Sequence, residues 1–264
     1  MKRFFALLLL FSVSMISRAD VVLLVHGYLG SAGSWETSGV SWALEQQGWQ
    51  RAGLMTPRGL IPASDEKAAN KFYTVDLLSM APIGFQAEQL RRMISLVERR
   101  HSGEPVILVG HSAGGVVSRM VLVQGGVKNP KALITIASPH LGTLRAIEAL
   151  EETDDPFPIS VVKEFFAGDL YGVVRDSWEV LLDLTPEQPG NLLFWLNRQP
   201  HPEIEYISVV RPGPIGAGDE LVPAFSQDLN RVQSLKGKSR VVTTPVSHAL
   251  QPSDGRLLAE LLAE

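Results

Sequence analysis

The sequence contains no cysteine among its 264 residues. That excludes a thiolate nucleophile, a disulfide framework, an iron–sulfur cluster and any cysteine-bound zinc. It also lacks a basic excess: 24 Lys and Arg stand against 28 Asp and Glu, for a formal charge of −4. So little positive charge does not suit a phosphate backbone, and no nucleic-acid partner is expected. No HExxH or other metal-ligand spacing is present, and no cofactor motif is found. Past the N-terminus no apolar run is long enough to span a bilayer. What remains is a chain with 45% hydrophobic residues. That is too apolar for disorder and long enough to bury the core of one α/β domain.

The first residues read as an address. Lys2 and Arg3 precede an apolar run over residues 4–16, and Ser17-Arg18-Ala19 offers small residues at a cleavage site. This is the pattern of a secretory signal peptide over residues 1–19, with residues 20–264 as the exported domain. An uncleaved anchor is the alternative. The expected location is therefore periplasmic or extracellular.

Residues 20–264 alternate strand and helix. The apolar, β-branched run at 21–25 and the runs at 105–109, 132–137, 203–210 and 240–244 read as buried strands, with 50–55 as a weaker candidate before Pro57. Helical spacing appears at 85–100, at 113–124 (Val116, Val117, Met120 and Val121 on one face) and at about 254–262. Six strands separated by helices predict a mostly parallel sheet with helices on both faces. Residues 144–202 interrupt this rhythm with an acidic patch (Glu151, Glu152, Asp154, Asp155) and with Phe165, Phe166, Trp178 and Trp195. They read as a helical cap inserted above the sheet, or else as an ordinary helix pair completing it.

Four places concentrate chemistry. Gly110-His111-Ser112-Ala113-Gly114 is a G-x-S-x-G pattern placed between a buried strand and an amphipathic helix. That context makes a nucleophile elbow, with Ser112 as nucleophile. His26-Gly27-Tyr28-Leu29-Gly30 ends the first strand. Its Tyr28 N–H and the Ala113 N–H are the expected oxyanion donors. His26 is read as holding this loop through its ring, with a base role as the alternative. Gly216-Ala217-Gly218-Asp219 follows the strand at 203–210, so Asp219 is the expected triad acid, with Asp228, Glu220 and Asp183 as rivals. His248, between the last strand and the C-terminal helix, is the expected general base. The other histidines are read as bland: His101 at the end of a surface helix, His111 beside the serine, His140 in a Pro-flanked loop and His201 between prolines.

The order Ser112, Asp219, His248 with His26-Gly27 upstream resembles the α/β-hydrolase superfamily, and within it bacterial lipases and esterases. Ser138-Pro139-His140-Leu141-Gly142-Thr143 and Gly218-Asp219-Glu220-Leu221-Val222-Pro223 add to the likeness, which spans most of residues 20–264 except 144–202. The resemblance implies an α/β-hydrolase fold and cleavage of a carboxylic ester through an acyl-enzyme. The substrate would be a small-molecule or lipid ester, with no cofactor and transient contact with a lipid surface. Lipases of this kind often carry calcium near the histidine loop, but no ligands for it are identifiable in this sequence. The same triad also serves thioesterases, amidases and acyltransferases. A silent scaffold that binds a lipid or a protein is a further alternative.

Overall fold

A computed structural model describes residues 19–63, 70–151 and 170–264. In chain order the elements are β1 (Val21–Val25), α1 (Gly33–Thr37), α2 (Val40–Gln46), β2 (Gln50–Thr56), β3 (Gly59–Pro62), β4 (Lys71–Val75) and α3 (Ile83–Arg100). Next come β5 (Val106–His111), α4 (Ala113–Val123), β6 (Pro130–Ile136), α5 (Leu144–Glu151), α6 (Leu170–Asp176), α7 (Trp178–Asp183) and α8 (Leu192–Leu196). The chain closes with β7 (Glu205–Val210), α9 (Ala224–Gln227), β8 (Ser239–Thr243) and α10 (Pro252–Leu262). The strands form one sheet in the order β3-β2-β4-β1-β5-β6-β7-β8. All pairings are parallel except β2 with β3.

The strand period of two divides the core between the two faces. Val21, Leu23 and Val25 pack with α3 and α4 on one side. Val22 and Leu24 pack with Leu44 of α2 and Leu258 and Leu261 of α10 on the other. β1 lies between β4 and β5. The chain leaves β1 toward β2 on one side and leaves β5 toward β6 on the other. Such a switch point opens a crevice at the carboxyl ends of the two strands. Tyr28 and Ser112 sit there, a few residues beyond the ends of β1 and β5.

The predicted parallel sheet is present, with three corrections. The sheet has eight strands, not six. The unexpected β4, Lys-Phe-Tyr-Thr-Val, lies wholly buried between β1 and β2. Its polar ends hide its nature in the sequence, because Lys71 is buried by pairing with Glu104 at 3.2 Å. β8 was expected to be buried, but as the outermost strand it has only exposed and half-buried residues. α4 was expected to bury one face, yet every residue from Ala113 to Leu122 is buried. The sheet, α3 and the 138–142 loop cover it together.

The leader expected at 1–19 lies outside the described residues except for Ala19. Within 144–202 the described residues are helical, as α5 to α8. Ala149, Leu150 and Leu181 form a small cluster against Tyr28. Glu152, Asp154, Asp155, Phe165 and Phe166 lie outside the described residues. Among the described residues no helix is long and apolar enough to cross a membrane.

Close contact between β1 and α4 fixes this geometry. A Cβ on Gly114 would meet the carbonyl oxygens of His26 and Val25 at 2.4 Å. Gly114→Ala should therefore destabilise the fold by about 1–3 kcal/mol through overpacking. Gly84→Ala, on α3 with open space around it, should stabilise by about 0.5–1 kcal/mol. Denaturant midpoints of the two variants test the pair, and equal effects would contradict this packing.

Candidate active site

β5 ends in Gly110 and His111, and the chain then turns at once into α4. Ser112 makes that turn at φ 51° and ψ −128°, a region that side chains rarely occupy. Its N–H donates to Ile136 O at 2.9 Å, which ties the turn to β6. Gly27 lies so close that a Cβ there would stand 2.7 Å from Ser112 Cβ. The loop after β1 is thereby pressed against the serine.

The structure brings the three expected side chains into one line. Ser112 Oγ is 2.9 Å from His248 Nε2. His248 Nδ1 is 3.0 Å from Asp219 Oδ2. With the carboxylate as acceptor, Nδ1 carries the proton and Nε2 is free to accept from the serine. The Asp219 side chain is fully shielded from solvent. Its other oxygen accepts from Leu221 N at 2.8 Å and Val222 N at 2.7 Å. Burial pushes its pKa up, but hydrogen bonding and charge from His248, with the two amides, outweigh this and hold it below its ordinary value.

The rivals are engaged elsewhere. Glu220 accepts the His248 backbone N–H at 3.0 Å. Asp228 accepts Asn230 N at 2.9 Å. Asp183 accepts Ile83 N at 2.8 Å, at the start of α3. His26 performs the loop role expected of it. Its Nδ1–H donates to Gly27 O at 2.9 Å, and its Nε2 accepts Leu77 N–H at 3.0 Å. Ala113 is the first residue of α4, so its N–H is one of the helix amides that have no intrahelical acceptor. Tyr28 stands in the turn closed by Gly30 N–H to Gly27 O at 3.0 Å and lines the same cavity as Ser112. Its hydroxyl donates to Ser177 Oγ at 2.6 Å, since Ser177 gives its own proton to Val173 O.

A model of the alpha/beta hydrolase family matches residues 22–261. The chain belongs to that family. Among solved structures it resembles a Bacillus licheniformis lipase in mature form, at 15% identity and a TM-score of 0.59, over 94% of this chain and 91% of that one. It is also similar to an extracellular alpha/beta-hydrolase from a Paenibacillus species, at 14% identity and 0.53, over 92% and 97%. A metagenomic carboxyl esterase aligns at 13% identity and 0.56, over 93% and 75%. At these identities the likeness is one of fold. No curated protein matches the sequence.

Around its site this hydrolase uses residues the sequence did not single out. Gln227 is buried and donates to Asp219 Oδ2 at 3.1 Å, the oxygen that His248 also reaches. Its Oε1 accepts Arg211 N at 2.7 Å. His111 donates from Nε2 to the His248 carbonyl at 2.9 Å, so the residue before the serine anchors the loop of the base. Arg211 and Asp254, both fully buried, pair at 2.8 Å and bracket the segment that holds Asp219 and His248. Arg119, read as one more residue of α4, is buried against His201, His140 and Asn197. A glutamine eight positions past the aspartate and a polar residue on an apolar helix face are the only sequence hints of these contacts. Neither has a motif.

Several histidines differ from their bland readings. The His101 ring, expected at the surface, is buried with its Nε2 2.7 Å from Tyr73 OH. His140 and His201 are buried as well. Among the described residues no three acidic or histidine side chains are grouped to hold a metal.

Burial holds His26, His140 and His201 below the ordinary imidazole value, and the Arg119 charge adds to the effect for the last two. His201 is lowered to about 4. The folded chain thus refuses protons that the unfolded chain accepts. Stability is complete above the unfolded value near 6.5 and is lost as pH falls from there toward the folded values. Between about pH 7 and about pH 5, His201 alone should cost on the order of 2 kcal/mol. Urea denaturation at the two pH values measures this, and a flat profile would contradict neutral, buried rings.

Proposed function

We propose that this chain is an exported serine hydrolase that cleaves carboxylic esters, of the lipase and carboxylesterase type. The line Ser112, His248, Asp219 carries the reading, with oxygen-to-nitrogen distances of 2.9 and 3.0 Å. Ser112 Oγ attacks the ester carbonyl while His248 Nε2 takes its proton. Asp219 holds Nδ1–H and balances the imidazolium. The N–H groups of Tyr28 and Ala113 receive the oxyanion. His248 then passes the proton to the departing alkoxide, and the alcohol leaves an acyl group on Ser112. A water deprotonated by His248 attacks that acyl group, the bond to Ser112 breaks as His248 returns the proton to Oγ, and the free acid leaves.

A neutral ester suits a site with a buried anionic aspartate and a chain of formal charge −4. Export is supported by the leader pattern at residues 1–19 and by the description of the Paenibacillus relative as extracellular. The helices of 144–202 are assigned as a cap, because α5 and α7 line one side of the serine.

Hydrolysis of p-nitrophenyl esters by the wild type and two variants tests the assignment. Ser112→Ala should fold and lose on the order of 10⁴-fold or more in kcat, and Asp219→Asn about 10⁴-fold. A fluorophosphonate should add to Ser112 in the wild type only. Full activity of a folded Ser112→Ala protein would refute the mechanism.

A further inference from the structure

Two cavities meet at Ser112 and His248. The larger, of about 410 Å³, runs past Gly30, Ser34 and Ser38 to the exposed Thr37. The smaller, of about 100 Å³, lies under α5 and α7. Its walls are buried apolar side chains, among them Ala146, Ala149, Leu181, Leu184 and Val222. Tyr28 borders both, and its hydrogen bond to Ser177 holds the ring in the partition.

Double displacement assigns the two sides. The acyl group stays on Ser112 while the alcohol departs, and water must then reach the carbonyl from the side the alcohol vacated. The cavity that runs out to Thr37 can admit that water, whereas the small one need only hold a chain already attached. Charge agrees with this. Among the described residues lining the small cavity, the one basic side chain besides His248 is Arg145. Its guanidinium is already committed, to Glu148 at 2.6 Å and to the Glu220 carbonyl at 3.1 Å. Among those described residues, no cation is left over to receive an acidic acyl tail. Size sets the length: an apolar cavity of about 150 Å³ takes a benzene, so one of this volume suits about four carbons.

We propose that the small cavity is an acyl site for short, uncharged chains of about four carbons, and that Ala149 and Leu181 set the length. The alcohol moiety, which can be larger and polar, lies in the wider cavity. The proposal rests on the ester-hydrolase reading and narrows it from lipid-like esters to short-chain ones.

Two probe series separate the proposal from the reading beneath it. In the first, p-nitrophenyl acetate, butyrate, hexanoate and octanoate are compared by kcat/KM. The wild type should peak at butyrate and fall about tenfold or more by octanoate. Leu181→Ala should move the optimum to a longer chain and Ala149→Phe to acetate, each variant checked for folding by circular dichroism. An octanoate optimum in the wild type, or two folded variants that leave the optimum in place, would overturn the acyl site.

In the second series, p-nitrophenyl alkylphosphonates with butyl or octyl chains inactivate the enzyme without turnover. Ser112 Oγ bonds phosphorus, p-nitrophenolate leaves, and the serine proton passes to His248. Faster labelling by the butyl reagent supports the site even if no ester is turned over, in which case only the ester reading fails. Equal or faster labelling by the octyl reagent overturns the site. Failure of both reagents overturns the nucleophile and the proposal with it.

Discussion

Ser112 keeps a backbone conformation that L-residues avoid, and the surroundings leave it no other. At φ 51° such a residue costs about 1–3 kcal/mol. Three close approaches over-determine it. Gly110 lies against the backbone of Gly115, Gly114 against the carbonyls ending β1, and Gly27 against the serine itself. Each contact admits a hydrogen and no larger group. The strained turn lifts Oγ above the sheet, sets the first amides of α4 beside it and fixes the distance to the β1 loop.

A second set of interactions carries His248 and Asp219. They sit on loops after β7 and β8, which by themselves would be free to move. The buried pair of Arg211 and Asp254 joins the end of β7 to the start of α10. Breaking such a pair typically costs about 3–5 kcal/mol, because it strands a charge in a dry interior. Between these anchors His248 is held at three points: its N–H by Glu220, its carbonyl by His111 and its ring by Asp219. Asp219 is held in turn by two amides and by Gln227. The line from Asp219 through His248 to Ser112 is thus set by a network, and each of its members fixes another.

The helices over the site lend it shape more than chemistry. Tyr28 ties them to the β1 loop through Ser177, so the wall of the small cavity and the loop beside Ser112 share one residue. Ala149, Leu150 and Leu181 form a small cluster of their own against Tyr28, while Ala146, Val180 and Leu184 of the same region join the main core.

Most of the fold was legible in local pattern. The runs at 21–25 and 106–109 announced central strands, because strands buried on both faces read as continuous apolar segments. Ser112 and His248 were legible as candidates, because a strained elbow demands small neighbours and because His248 is the one histidine after Asp219, whereas Asp219 stood beside rival carboxylates. β4 was not legible, since its Lys71 is buried with an ion partner, Glu104, that lies 33 residues away. The places of Arg119, Gln227 and His111 were not legible either, as each acts through partners distant in sequence. By itself, then, the sequence determined the sheet class, the tight turn that carries Ser112 and the chain order of the serine, aspartate and histidine, because those depend on local periodicity and on the sterics of one turn. The tertiary structure decided which carboxylate faces the imidazole, which polar groups are buried and how the space around the serine divides. Those depend on distances between loops that no local pattern encodes.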